Sequence, residues 1–210
     1  MDLNTLGTEF NNPSLNRQDL SQDPFQQFQC WMAQALKAKV TQPNAMTLST
    51  VSLDDQPAAR IVYLKGVDSR GFVFFTNYQS QKAKDLAHNP KAAITFYWPE
   101  LDQQVRIEGT VEKTSEAESD GYFSSRSQAS QWGAWASEQS FPLTSRDALE
   151  DKYQAVQQQF PNTVPRPPHW GGYRLSPNCM EFWQGRINRC HDRFQYRLSA
   201  KGWTINRLSP

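Results

Sequence analysis

Apolar residues recur with two different periods along this chain, and the switches between them mark out its elements. Phe25, Phe28, Trp31, Met32, Ala35 and Leu36 fall at helical spacing behind Asp23-Pro24, an N-cap carboxylate followed by a proline at the first helical position. The next block alternates with a period of two. Met46 to Leu53, Ala59 to Lys65 and Phe72 to Asn77 are expected strands, separated by turn chemistry at Asp54-Asp55-Gln56-Pro57 and Asp68-Ser69-Arg70-Gly71. Ser80 to Asn89 is an expected short helix stopped by Pro90, and Ala92 to Tyr97 and Gln104 to Lys113 are two further strands.

Ser115-x-x-Glu118 is a capping-box pattern, opening a helical region expected to run to about Ala136. Leu149, Tyr153, Val156 and Phe160 mark another amphipathic helix, ended by the segment from Pro161 to Pro168. The expected closing strands are Tyr173 to Leu175 with Met180 to Gln184, then Arg193 to Leu198, then Trp203 to Leu208. Meandering strands with a few helices between them imply an α+β fold built on an antiparallel barrel. Residues 1–22 are polar and aperiodic, so they are expected to be a mobile arm before a single domain over 23–210.

Composition narrows the function classes. A net charge of +1 without blocks of one sign argues against a general polyanion binder, and the basic residues form no stripe for nucleic acid. Seven Trp, seven Tyr and twelve Phe are many for so polar a chain, so the rings either pack a core or line a pocket for a flat ligand. Cys30, Cys179 and Cys190 are far apart and form no CxxC pair, which fits a reducing cytosol. His88, His169 and His191 share no ligand spacing, so no metal is expected. The start Met1-Asp2-Leu3-Asn4 has no basic region followed by an apolar run, and no stretch reaches membrane-spanning length; a cytoplasmic protein is expected. There is no GxGxxG, GxxxxGK[ST] or GxSxG.

Several constellations could carry chemistry. Arg189, His191 and Arg193 alternate directly after Glu181-Phe182-Trp183-Gln184-Gly185; in an extended backbone they share one face, where an anion or an electron-rich ring would relieve their mutual repulsion. A solvated strand edge has the same pattern. Tyr122, Arg126 and Ser130 are spaced i, i+4, i+8 and on a continuous helix form a stripe of donors suited to a phosphate, each about 40° from the last. An ordinary polar helix face has that spacing too. Ser80-Gln81-Lys82 opens a helix just after the strand ending Phe75-Thr76-Asn77, a second place for a phosphate. Arg60 and Lys65 bracket Ile61, Val62, Tyr63 and Leu64; strict alternation puts the two cations on opposite faces unless a bulge re-aims one. Gln103-Gln104, at the start of a strand, and Gln139-Ser140, at the end of the long helical region, offer amides suited to a heterocycle edge, or simply to solvent.

Taken in order, these pieces resemble the pyridoxine/pyridoxamine 5′-phosphate oxidase family. The matching residues are Arg60 to Lys65, Phe75-Thr76, Gln81-Lys82, Gln104-Val105, Tyr122-x3-Arg126-x3-Ser130, Gln139-Ser140, the run Glu181 to Gly185, Arg189-x-His191-Asp192-Arg193 and the terminal Arg207-Leu208-Ser209-Pro210. The resemblance implies a split β-barrel homodimer with FMN held noncovalently in clefts at the subunit interface. It implies that Arg60 and Lys82, with Thr76 and Ser140, hold the FMN phosphate, and that Gln104, Gln139, Trp183 and Arg193 address the flavin ring. The neighbouring Ile61, Val62, Tyr63, Leu64, Lys65, Phe75 and Gln81 belong to the same implied cofactor set. Lys65, Tyr122, Arg126 and Ser130 would take the substrate phosphate, and Arg189 and His191 would lie over the pyridine ring as catalytic residues.

The implied reaction is oxidation of pyridoxamine or pyridoxine 5′-phosphate by oxygen to pyridoxal 5′-phosphate and hydrogen peroxide. Two departures stand out. Gln81 replaces an arginine of many family members, and Leu6-Gly7-Thr8-Glu9-Phe10 lacks the Arg and Tyr that the family arm often offers. Gln81 is similar to the phenazine-biosynthesis branch, whereas Lys65 matches a lysine which that branch tends to lack. The alternatives are therefore a same-fold flavin oxidase acting on a phenazine precursor, or a noncatalytic binder of FMN or pyridoxal phosphate.

Overall fold

The structure, a computed structural model, describes residues 9–210. One helix, α1 (Pro24–Lys37), starts where Asp23 accepts a hydrogen bond from the Phe25 amide and Pro24 takes the first turn. Strands β1 (Ala45–Val51), β2 (Pro57–Tyr63), β3 (Gly66–Asp68) and β4 (Gly71–Asn77) follow, then α2 (Gln81–His88), β5 (Lys91–Trp98) and β6 (Gln103–Lys113). Three helices, α3 (Glu116–Ser125), α4 (Gln128–Ala136) and α5 (Arg146–Gln159), precede β7 (Trp170–Gln184), β8 (Asp192–Ser199) and β9 (Gly202–Leu208).

All nine strands among the described residues join one antiparallel sheet in the order β2-β1-β5-β6-β7-β4-β3, with β8 and β9 continuing from β7. It is a split β-barrel. The sheet curls around a core that contains Phe28, Phe72, Phe96, Trp98, Phe182 and Tyr196, all fully buried. Helix α1 contributes Phe28, whose ring lies 5.0 Å from Phe72 and 5.1 Å from Phe96, and Trp31, 5.2 Å from Phe182. Burying each such ring contributes roughly 1.5–3 kcal/mol.

Strand β7 is the hinge of the topology. From Tyr173 to Gln184 it pairs with β6, but on the other side its first half (Trp170 to Leu175) pairs with β4 and its second half (Cys179 to Gln184) with β8. The sequence split this element into Tyr173 to Leu175 and Met180 to Gln184, because Ser176-Pro177-Asn178 looks like a turn. Instead Pro177 sits at the handover between partners, where its missing N–H costs little, opposite a register shift between Glu108 and Gly109.

Two further expectations are corrected. The helical region from Ser115 is not continuous to Ala136. Arg126 is extended (φ −75°, ψ 153°) and Ser127 caps a new helix, its hydroxyl accepting from the Ser130 amide. The run 189–193 is not extended either: Ile187–Arg189 is a 3-10 turn, Asn188 and Arg189 have φ of 55° and 58°, and β8 begins only at Asp192. The short β3 had no counterpart in the sequence reading.

Of residues 1–22, expected as a mobile arm, Leu6-Gly7-Thr8 and all earlier positions lie outside the described residues. Residues 9–22 run along the barrel. Asn12 donates to the Asp102 carboxylate (2.9 Å) and the Gly185 carbonyl (3.1 Å), the Leu15 amide donates to Asp192 (3.0 Å), and Leu20 is buried. No described helix is long and apolar enough to cross a membrane.

A Cβ at Gly109 would stand 2.1 Å from the Ser176 carbonyl oxygen, so only glycine lets β6 and β7 approach at the bulge. Gly109→Ala is expected to cost about 2–3 kcal/mol, a fall of roughly 4–12 °C in Tm. A calorimetric Tm within about 2 °C of the parent would show that the bulge relaxes freely.

Candidate functional site

The curled sheet leaves its edge strand β2 beside β4 without pairing them along their length. The chain departs from β2 at Tyr63, and the Lys65 amide donates to the Val73 carbonyl of β4 (2.8 Å). Along this split lies a cleft of about 910 Å³ lined by residues of β2, β4, α2, α3 and α4 and by Trp170 of β7. It brings together Arg60, Ile61, Val62, Tyr63, Lys65, Phe75, Thr76, Lys82, Tyr122, Arg126, Ser130 and Gln139. The question of whether Arg60 and Lys65 face apart is thereby resolved. Lys65 lies beyond the end of β2, so strand alternation does not reach it, and both cations line the same cleft.

Two clusters of donors occupy it. In the first, Arg60 donates to the Thr50 hydroxyl (2.6 Å) and lies 3.6 Å from the buried Asp85 carboxylate, itself bonded by Thr50 (2.7 Å). The Lys82 ammonium is buried among neutral oxygens, donating to Gln139 (3.0 Å), Thr76 (3.3 Å) and Ser80 (3.4 Å). Burial holds Lys82 below its ordinary value; the charge of Arg60 adds to this and Asp85 opposes it. Arg60 is likewise lowered by burial, against the pull of Asp85.

In the second cluster Tyr122, Phe75 and Trp170 stack in nearly parallel planes, Tyr122 to Phe75 at 4.0 Å and Phe75 to Trp170 at 5.5 Å. Arg126 lies over Trp170 (4.7 Å) and the Lys65 ammonium over Tyr122 (5.8 Å). Because the chain breaks at Arg126, these residues are not a helical stripe; the break turns Arg126 back onto Trp170 while Ser130 lies in the first turn of the next helix. Burial lowers Arg126, with Tyr122 opposing, and its Nη1 is buried without a hydrogen-bond partner among the described residues. A desolvated guanidinium with a spare donor fits an incoming anion.

Other expected site residues do not line this cleft. The Gln81 amide donates to the Ser140 hydroxyl (3.1 Å), its side chain reaches Asp85 (2.8 Å), and Ser140 has a φ of 75°. Leu64 is buried in the core. Gln104, Trp183 and Arg193 form a row across β6, β7 and β8, directly opposite one another in register. Glu181 grips Arg193 with both oxygens (2.8 and 3.1 Å), and the Ser209 carbonyl accepts a third bond (2.9 Å). Next to this row stand His191, 4.7 Å from Trp183 ring to ring, and a smaller hollow of about 400 Å³ bounded by Phe10, Arg186 and Arg189.

The sequence reading missed Asp85, Trp170 and Phe10. Asp85 lies one helical turn from Lys82, a spacing that could have paired them. Phe10 stands edge-on to both Trp183 (5.7 Å) and His191 (5.4 Å), seated where a Cβ on Gly185 would come within 2.7 Å of its ring.

Comparison with known proteins fits this arrangement. Residues 32–160 match the family described as pyridoxamine 5′-phosphate oxidase, and residues 170–210 match the pyridoxine 5′-phosphate oxidase C-terminal dimerisation region. The chain belongs to the pyridoxamine 5′-phosphate oxidase family. Relatives named pyridoxine/pyridoxamine 5′-phosphate oxidase include one from Cyanothece sp., 54% identical over 209 residues (99% of this chain, 98% of the relative). Another, from Burkholderia cenocepacia, is 56% identical over 208 residues, 98% of this chain and 97% of the relative. Among solved structures of the fold, PhzG from Burkholderia lata in complex with tetrahydrophenazine-1-carboxylic acid superposes with a TM-score of 0.90 at 30% identity, covering 97% of this chain and 100% of that one. A related FMN-binding protein from Nostoc punctiforme shares the fold, with a TM-score of 0.70 at 20% identity over 87% of this chain and 97% of its own.

The burial of Lys82 has a measurable sign. An unfolded lysine keeps its proton up to about its ordinary 10.5, whereas the folded one releases it at lower pH. Charging Lys82 therefore opposes folding at neutral pH, and this opposition fades as the pH climbs toward 10.5. Ligand-free Lys82→Met is expected to be at least as stable as the parent at pH 7, with the difference closing at alkaline pH. Denaturant melts across pH check this; a variant clearly weaker at pH 7 would make Lys82 a structural cation.

Proposed function

We propose that the protein is an FMN-dependent oxidase that converts pyridoxamine or pyridoxine 5′-phosphate, with oxygen, to pyridoxal 5′-phosphate and hydrogen peroxide; the amine substrate also consumes water and releases ammonia. The observation that carries this reading is the presence of two separate anion-seeking clusters in one cleft, the second containing the unpartnered Arg126 Nη1. Two phosphates, one on the cofactor and one on the substrate, account for both.

Arg60 and Lys82, aided by Thr76 and the Gln139-Ser140 segment, hold the FMN phosphate. Lys65, Tyr122, Arg126 and Ser130 hold the substrate phosphate. Gln104, Trp183 and Arg193 address the flavin ring, and Arg189 and His191 orient the substrate ring. FMN, once bound, supplies the hydride acceptor and the reaction with oxygen; the chain supplies position and charge. Neither Arg189 and His191 nor the row through Trp183 lines the phosphate cleft of its own protomer, so in this reading they serve the cleft of a second copy. Ile61, Tyr63 and Tyr97 stand exposed on the sheet and offer apolar contacts to such a partner.

The likeness to PhzG raises a phenazine precursor as a second reading. The molecule in that complex, tetrahydrophenazine-1-carboxylic acid, carries a carboxylate and no phosphate. Two cations, a phenol and a hydroxyl lining one cleft suit a tetrahedral dianion better.

Oxygen uptake by FMN-loaded protein with pyridoxine 5′-phosphate tests the reading directly; no uptake with either vitamer phosphate refutes it. Arg126→Ala should raise KM for the vitamer phosphate roughly 10–150-fold, the equivalent of a charge-assisted bond of about 1.5–3 kcal/mol, while FMN affinity in a fluorescence titration stays put. Equal loss of FMN binding would assign Arg126 to the cofactor. Arg189→Ala should lower kcat in a protein that still folds, dimerises and holds flavin, and unchanged turnover would remove Arg189 from the site.

A further inference from the structure

We infer that His191 is locked in the tautomer that carries its proton on Nε2, and that it meets the substrate as a hydrogen-bond donor and not as a base. The inference rests on the oxidase reading above for the identity of what it meets. Its geometry stands apart from that reading. The backbone N–H of Arg186 donates to His191 Nδ1 at 3.1 Å. A main-chain amide has a hydrogen to give and no lone pair to offer, so the ring nitrogen facing it must be bare. The single proton of the neutral ring is then on Nε2.

The loop is built to hold that contact. Asn188 and Arg189 both take the left-handed conformation, which L side chains adopt reluctantly, and the Cys190 amide donates to the Ile187 carbonyl (3.1 Å). This tight reversal carries the chain from Arg186 back to His191. The ring plane is fixed by two neighbours: Trp183 at 4.7 Å with a 47° tilt, and Phe10 edge-on at 5.4 Å. Phe10 keeps its own place through the space left at Gly185, while Asn12 ties the same stretch to the Gly185 carbonyl. No described residue hydrogen-bonds Nε2, so its N–H is available to a ligand.

The polarity has a chemical consequence. Nε2 already bears a proton and cannot take another, and protonating Nδ1 would set two N–H groups against each other. Whatever His191 touches must therefore present a lone pair, such as a ring oxygen, an alcohol oxygen or an uncharged amine. An ammonium would oppose donor to donor, so His191 selects the free amine. Arg186, through its backbone, is the positioning residue.

Ring-¹⁵N-labelled protein, with the His191 signal assigned by its loss in His191→Gln, reads the tautomer without any substrate. The expected spectrum couples the ring proton to Nε2 and shows Nδ1 bare; a proton on Nδ1 overturns the inference. In the second arm, the amide nitrogen of His191→Gln reaches the place of Nε2 and keeps a donor there, while that of His191→Asn reaches only the place of Nδ1. With loaded dimers, kcat/KM for His191→Gln should exceed that for His191→Asn by about 3- to 10-fold, the worth of one neutral hydrogen bond. Equal values, or a better Asn variant, overturn the donor role. If the parent oxidises no vitamer phosphate, the oxidase reading falls, and the ring spectrum alone decides the tautomer.

Discussion

Arg60, Lys82 and Arg126 are all drawn out of water by the walls of one cleft, and no carboxylate is among the residues that line it. Cations crowded in that way repel one another and lose hydration, so the chain has to hold them by other means. The register of β1 on β2 sets Leu48 opposite Arg60, and the next inward residue of β1, Thr50, bonds Arg60 and Asp85 together. The first turn of α2 presents Lys82 to the oxygens of Thr76 and Gln139. The chain break after α3 lays Arg126 on Trp170. A sheet that closed completely would have no room for any of this. The gap between β2 and β4 is the reason the cations can stand together.

Much of this architecture was legible in the periods of the sequence. The N-cap at Asp23, the capping box at Ser115 and nearly all of the strands lie where apolar spacing and turn residues put them. What escaped were features that local spacing does not encode. Tyr122, Arg126 and Ser130 keep helical spacing with no proline or glycine between them, so nothing but the serine at position 127 marks the break, and they share one cleft through a turn of the backbone. Strand β7 reads as two strands because Pro177 is acceptable only where one partner hands over to another, a fact of topology. The tight reversal before β8 had one local clue, Asn188, a residue that tolerates the left-handed region. Periodicity alone singled out no site; the family resemblance proposed one, and many of the residues it proposed line one cleft.

The aromatic residues of the cleft and of the His191 loop divide by task. Phe75, Tyr122 and Trp170 are stacked nearly parallel and make a rigid wall against which the cations of the second cluster rest. Trp183, Phe10 and His191 meet edge-on or tilted, an arrangement that fixes a ring's orientation. Phe10 is thus the point at which the polar leading stretch meets Trp183 and His191, filling with an apolar edge the space beside Gly185.

The fifteen residues of β7 carry Trp170 at one end and Trp183 near the other, separated by about 43 Å of extended chain at 3.3 Å per residue. In the proposed dimer one strand thus takes part in two half-sites, each completing its counterpart on the other subunit. Genetics of such a protein would be unusual. A chain damaged only at its phosphate cleft and a chain damaged only at its His191 loop would each be inactive alone. Paired in a mixed dimer, they would place both lesions in one of the two sites and leave the other intact, so two null alleles would complement each other within a single assembly.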